Sequence, residues 1–94
     1  MEADTPGTYF QKQIVQKQRA AIRRRNDAGL ISMWPEAIHE VLKTFPDISP
    51  QQKAALRANV EEQVRLLCTR TRRRHEGFTP ALQQVARLLG RHHG

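Results

Sequence analysis

The side chains best suited to chemistry in this sequence are arginines, and they are concentrated in two clusters. The first arginine cluster is Arg23, Arg24 and Arg25, and the second is Arg70, Arg72, Arg73 and Arg74. A guanidinium group is always charged and can donate two parallel hydrogen bonds to one phosphate. Lys12 and Arg19 precede Arg23 on one ridge of a predicted helix. These nine residues are the predicted nucleic-acid-binding residues.

Catalytic chemistry has little support. Cys68 is the single cysteine, and beside an apolar helical stripe it is better explained as a small buried residue than as a nucleophile. His75 follows seven residues later, about 10 Å along a helix, which is too far for both to bind one zinc ion. His92 and His93 are adjacent, so on a helix they diverge. We therefore predict a protein that is not an enzyme and has no metal or cofactor.

The charge of the chain favours a polyanionic partner. Sixteen Lys and Arg residues stand against nine Asp and Glu residues, which gives a net charge of +7. Residues 1–30 carry +3, residues 31–66 carry −1 and residues 67–94 carry +5. This distribution predicts a near-neutral globular centre with two basic extensions that bind DNA or RNA. The competing interpretation is a basic surface that only keeps the protein in solution.

Amide and aromatic side chains refine this prediction. Five amides near the first arginine cluster are candidates for further hydrogen bonds to nucleic acid: Gln11, Gln13, Gln16, Gln18 and Asn26. Trp34 and Phe45 are assigned to the core, which leaves few aromatic rings for stacking on single-stranded bases. Duplex DNA or structured RNA is therefore preferred, and the sequence does not separate the two.

The elements that must position these residues are predicted to be helical throughout. The fold class is all-α, a small bundle of about four helices with one long central helix. The four helices are placed near 8–26, 34–45, 50–75 and 80–90. Asn26 to Gly29 is interpreted as a helix stop, and Pro35 as a first-turn residue. Ser49, Pro50 and Gln52 form the expected start of the long helix, with a capping box.

The apolar pattern predicts the core and the shape of the long helix. Eleven residues are assigned to the core: Trp34, Ile38, Leu42, Phe45, Leu56, Val60, Val64, Leu67, Leu82, Val85 and Leu89. The apolar stripe of the long helix ends at Leu67, before the second arginine cluster. The end of that helix is therefore expected to project from the core as a charged arm.

The organisation predicted for the whole chain is a single helical domain, 1–94. It has a basic N-terminal helix (about 8–26) and a basic C-terminal portion (about 68–94). Few large apolar residues and an overlong helix predict a homodimer. The N-terminus lacks the pattern of a signal peptide and no run is long enough to span a membrane, so the expected location is cytoplasmic, with no membrane partner.

Two functional classes remain open at this point. The first is a small non-enzymatic regulator or accessory protein that binds nucleic acid through its arginines. The alternative is a protein-interaction module or adaptor that binds a partner with an acidic surface. In that alternative, the Phe10, Ile14 and Ala21 stripe of the first helix packs on the partner.

Overall fold

The computed structural model describes residues 4–90, which form four α-helices and one short 3-10 helix. Their bounds are α1 Pro6–Arg23, α2 Asp27–Thr44, α3 Pro50–Thr71, the 3-10 helix His75–Phe78, and α4 Thr79–Gly90. No strand occurs within residues 4–90. The all-α, four-helix prediction is confirmed. None of the helices in this part of the chain combines the length and apolar character needed to cross a bilayer.

The helices run alternately up and down the bundle. Tyr9 near the start of α1 contacts Phe45 just after α2, with ring centroids 5.7 Å apart and a T-shaped geometry. Helices α1 and α2 are thus antiparallel. The closely packed pairs are α1 with α2, α2 with α4, α4 with α3, and α3 with α1. Going round the bundle, the order is therefore α1, α2, α4, α3, and short connections join antiparallel helices.

One hydrophobic core takes side chains from all four helices. Nine of the eleven predicted core residues are buried, and Phe45 and Leu82 are partly buried against the same core. Helix α2 contributes more buried side chains than any other helix, although α3 is longer. The prediction that the long helix is central is therefore not confirmed. Trp34 of α2 is 1 % exposed, and its indole Nε1–H makes no hydrogen bond within residues 4–90.

The junction between α1 and α2 differs from the prediction. Asn26 is the N-cap of α2, since its side-chain oxygen accepts a 3.0 Å hydrogen bond from the backbone N–H of Gly29. Helix α2 begins at Asp27, and Pro35 lies inside it. A proline at an interior position removes one backbone hydrogen bond. Burial of Leu30 and Met33 in the turns before it offsets that loss.

The prediction of a charged arm at the end of α3 is wrong. The helix ends at Thr71, and Arg72 adopts a left-handed conformation with φ of 57°. The chain then turns back through the 3-10 helix, which ends at Phe78. The aromatic ring of Phe78 is buried in the core and is only 2 % exposed. Removing this ring from water stabilises the turn, so the second arginine cluster stays against the bundle.

Helices α1 and α4 begin close to their predicted positions. The side-chain oxygen of Thr5 caps α1 by accepting a 3.1 Å hydrogen bond from the backbone N–H of Thr8, and Pro6 follows as a first-turn residue. Helix α1 therefore starts two residues before the predicted position near residue 8. Helix α4 begins one residue earlier than expected and ends at Gly90, as expected.

Candidate nucleic-acid interface

A contact between distant parts of the chain brings the two arginine clusters together. The guanidinium Nη2 of Arg73 lies 2.5 Å from the carboxylate Oδ1 of Asp27. Asp27 follows the first arginine cluster at the start of α2, and Arg73 belongs to the second cluster beyond α3. Both clusters therefore lie at one end of the bundle, which we call the basic end. From the charge distribution along the sequence, the two clusters were expected on two separate basic extensions, and the structure differs from that expectation.

Each cluster is built on the C-terminal turn of a helix. After α1, the backbone N–H of Asn26 donates to the carbonyl of Ala21 at 2.8 Å, and that of Arg25 donates to Ile22 at 3.1 Å. These two bonds form a Schellman motif, which needs a left-handed residue between helix and loop. Arg25 supplies it with φ of 52°. The sequence had placed Arg25 inside the first helix.

The second cluster also follows a helix that ends at a left-handed residue, although its hydrogen bonds differ from those after α1. The backbone N–H groups of Arg72 and Arg73 both donate to the carbonyl of Cys68. Arg25 and Arg72 are the only non-glycine residues with positive φ within residues 4–90. Glycine is the usual residue at such a position, because a β-carbon is strained there. Both helix ends at the basic end thus carry an arginine where the backbone alone would favour glycine.

The two helix ends offset part of the electrostatic repulsion among the arginines of the basic end. The last turns of α1 and α3 carry the partial negative charge of the helix dipole, which stabilises a nearby cation by about 0.3–1 kcal/mol at an exposed site. Asp27 neutralises Arg73, whose side chain is 34 % exposed. The other arginines of the two clusters are exposed and form no ion pair within residues 4–90: Arg23, Arg24, Arg25, Arg70, Arg72 and Arg74.

No family model, curated protein or solved structure matches this chain.

Backbone N–H groups contribute little to anion binding at this end. Helices α1 and α3 present their C-termini, whereas phosphate binds to helix N-termini. The N-terminus of α2 is also at the basic end, but the Asn26 side chain caps it and the Asp27 carboxylate occupies its first turn. The groups that the basic end offers to an anion are therefore its guanidinium groups.

The structure separates Lys12 from the other predicted binding residues. Its ammonium group lies 2.9 Å from the carboxylate of Asp4. It is also 11 residues from Arg23, about 16 Å along α1. Arg19 lies one helical turn from Arg23 and is exposed, so it extends the basic end along α1. Two of the five candidate amides are committed elsewhere, because Gln11 accepts a hydrogen bond from Gln63 at 2.8 Å and Asn26 caps α2.

Aromatic side chains do not contribute to the basic end. Phe10, Trp34 and Phe78 are buried, and Tyr9 and Phe45 are partly buried against each other. These five residues are all the aromatic residues of the chain. Because no exposed ring is available for base stacking, the chemistry that remains is contact with phosphate groups.

The groups considered for catalysis or metal binding form no reactive or metal-binding cluster within residues 4–90. Cys68 is buried, and burial raises the pKa of its thiol, while the positive charge of Arg73 lowers it to a smaller extent. Within residues 4–90, no three His, Cys, Asp or Glu side chains are grouped so that they could hold a metal ion. His92 and His93 lie outside the described residues, as do the first three residues.

One residue of the basic end was missed by reasoning from the sequence. Asp27 was interpreted as part of a helix stop, whereas it is the first residue of α2 and the partner of Arg73. Its position after Asn26, a strong N-cap residue, was the available signal. The stripe of Phe10, Ile14 and Ala21 is buried in the core, so it cannot pack on a partner protein as the alternative interpretation required.

Proposed function

We propose that this protein is a small non-enzymatic regulator or accessory protein that binds the phosphate backbone of nucleic acid at its basic end. The observation that carries the proposal is the Arg73–Asp27 contact, because it joins two arginine clusters into one surface. Within residues 4–90, six exposed arginines of that surface have no carboxylate partner, and such a surface is a strong electrostatic site for a polyanion.

In the proposed mode of binding, the protein contacts the phosphate backbone of the nucleic acid and does not recognise a base sequence. Most of the exposed arginines of the two clusters lie at helix ends and in turns, so within residues 4–90 neither cluster forms a long row along one helix face that could enter a groove. Phosphate contacts position a protein on a duplex without specifying bases. Duplex DNA and structured RNA share this chemistry, and both belong to the proposal.

The proposal is tested by titrating labelled generic DNA and RNA duplexes with the protein at two salt concentrations, with anisotropy as the readout. On B-DNA, each phosphate contact contributes about 0.9 to the slope of log K against log salt. The Arg70→Ala, Arg74→Ala double variant should bind both duplexes more weakly and lower that slope by about 2. Arg73 is left unchanged in this variant, because its contact with Asp27 is structural.

Arg87→Ala provides a matched control. Arg87 is an exposed arginine in the last turn of α4. That turn lies by the start of α3, at the opposite end of the bundle, since Gly90 and Pro50 line one shallow groove. Its replacement should reduce the slope and the affinity far less than the double variant does. Equal losses in the two variants, or no binding by the wild type at low salt, would refute the proposed site.

The homodimer and the cytoplasmic location remain predictions. The overlong α3 that motivated the homodimer is absent, since the helix ends at Thr71 and its large apolar side chains, Leu66 excepted, are buried within one chain. Sedimentation at micromolar concentration tests the homodimer directly. If the protein is a homodimer, its two basic ends would bind one duplex at two places.

A further inference from the structure

Three aliphatic side chains remain exposed on the surface where α1 and α3 meet. Val15 is 37 % exposed, Ile22 is 50 % exposed and Leu66 is 43 % exposed, and within residues 4–90 they are the exposed large hydrophobic residues. Two of them lie on α1 and the third on α3. We call the surface between these two helices the α1–α3 seam.

Two contacts fix how the helices lie along the seam. The side-chain amide of Gln63 donates to that of Gln11 at 2.8 Å near one end, and Arg73 contacts Asp27 at the other. Helices α1 and α3 therefore run in the same direction along the seam. The stretch between the two contacts holds Ile22 on α1 and Leu66 on α3.

Helical phase places the exposed aliphatic side chains along this line. At 100° per residue, Val15 and Ile22 lie within about 40° of Gln11 around α1. Leu66 lies about 60° from Gln63 around α3, on the side away from the core. The three side chains thus lie outside the core, on the side of α1 and α3 that carries the Gln11–Gln63 contact.

The charges beside the seam are positive. Arg19 on α1 and Arg70 on α3 are exposed and have no ion pair within residues 4–90. The carboxylate of Glu62 is already bound by Arg65 at 2.6 Å. That of Asp4 is bound by Lys12. An occupant of the seam therefore meets apolar side chains between two unneutralised arginines.

We infer that the α1–α3 seam binds an acidic amphipathic helix of a partner protein. Such a helix anchors a few apolar side chains at i, i+4 and i+7 in a groove. Val15 and Ile22 have this seven-residue spacing on α1. Carboxylates beside the anchors of the partner would pair with Arg19 and Arg70. This inference does not rest on the proposed nucleic-acid binding, although Arg19 and Arg70 belong to both surfaces.

A second copy of the chain and a nucleic acid fit the seam less well. Two identical seams would bring Arg19 and Arg70 of one protomer close to those of the other, and like charges repel. Three partly exposed aliphatic side chains are also a small anchor for a dimer, which buries about 800 Å² on each partner. Nucleic acid would gain little from aliphatic side chains that cannot stack with bases.

The test uses a labelled, capped peptide of about 18 residues composed of Glu, Ala and Leu, with leucines repeating at i, i+4 and i+7. A peptide of the same composition, with its leucines spread around the helix, controls for charge alone. The full-length protein is titrated against each peptide by anisotropy. Ile22→Gln and Leu66→Gln each place a polar side chain in the seam, and Ala54→Gln places the same side chain on another face of α3.

We expect the amphipathic peptide to bind more tightly than its control. Ile22→Gln and Leu66→Gln should each weaken binding about fivefold, the loss expected when about half of an aliphatic side chain is no longer buried. Ala54→Gln, at an exposed position, should change binding by less than about twofold. All three positions are exposed, so folding should be kept, and circular dichroism checks it.

Several outcomes would overturn the inference. No binding of the amphipathic peptide, or equal binding of both peptides, would show that the seam is not a helix-binding groove. Sedimentation of a dimer that Leu66→Gln dissociates would assign the seam to a second copy. A loss of duplex binding in Ile22→Gln would assign it to nucleic acid.

Discussion

Arg72 offers a direct test of the helix-end geometry, because glycine and alanine at this position should have opposite effects on stability. Arg72 has φ of 57°. A left-handed conformation costs a residue with a β-carbon about 1–2 kcal/mol. Glycine avoids this strain, but its greater freedom in the unfolded chain costs about 0.4–1 kcal/mol relative to alanine. Arg72→Gly should therefore be more stable than Arg72→Ala by about 1 kcal/mol.

The comparison is clean because both variants remove the same charge. Lost interactions of the guanidinium with the helix dipole or with solvent cancel between them, so the difference contains only the backbone strain and the unfolded-chain entropy. For a chain of 94 residues, about 1 kcal/mol corresponds to a rise in Tm of roughly 4–8 °C. Thermal unfolding followed by far-ultraviolet circular dichroism resolves such a shift. Both variants should lose the same amount of duplex affinity, since each has lost one exposed arginine.

Arg74 is the matched control for this experiment. It lies two residues further on, with φ of −76° and ψ of 133°, an extended conformation that any residue adopts. Here the order should reverse, with Arg74→Gly less stable than Arg74→Ala by about 0.4–1 kcal/mol. If Arg72→Gly is no more stable than Arg72→Ala, Arg72 does not adopt the left-handed conformation, and the described turn after α3 is wrong.

Three further predictions follow from individual contacts. Asp27→Asn should tighten duplex binding, because it removes the carboxylate that neutralises Arg73, and should lower stability by at most about 1 kcal/mol in urea denaturation, since the pair is partly exposed. Weaker duplex binding would contradict this prediction, because holding the two clusters together would then matter more for binding than the charge that Asp27 neutralises. Phe78→Ala should cost about 3–5 kcal/mol in the same assay, because the ring is buried, whereas a loss below about 1 kcal/mol would contradict the return of the chain to the core. The thiol of Cys68 should react with a soluble disulfide reagent much more slowly in the folded protein than in urea, because it is buried and its pKa is raised by burial; equal rates would place it at the surface.

The sequence predicted those parts of the fold that local signals determine. The start of α3 was found because Ser49 and Gln52 form a capping box and Pro50 between them is a first-turn residue. The first half of α2 was missed because Gly29 and Pro35 were taken as helix boundaries. The apolar spacing of Leu30 with the residues after it continues through Pro35, and this periodicity was the stronger signal.

The end of α3 and the basic end were beyond the reach of local signals. No glycine or proline marks the end of the helix at Thr71, and an arginine takes the left-handed position where glycine is usual. The Arg73–Asp27 contact joins residues that are 46 positions apart. A net charge and its distribution along the chain carry no information about such a contact, so the two clusters could be identified from the sequence but not their common surface.

The buried position of Trp34 has a practical consequence for all of these measurements. It is the only tryptophan of the chain, and its indole is enclosed by the core, away from the exposed arginines of the basic end. Its intrinsic emission therefore reports the polarity of the core, and it should shift to longer wavelength when the bundle opens. A ligand held by surface guanidinium groups leaves that emission unchanged. Unfolding and ligand binding can accordingly be recorded in one cuvette through two separate optical channels, without a label on the protein.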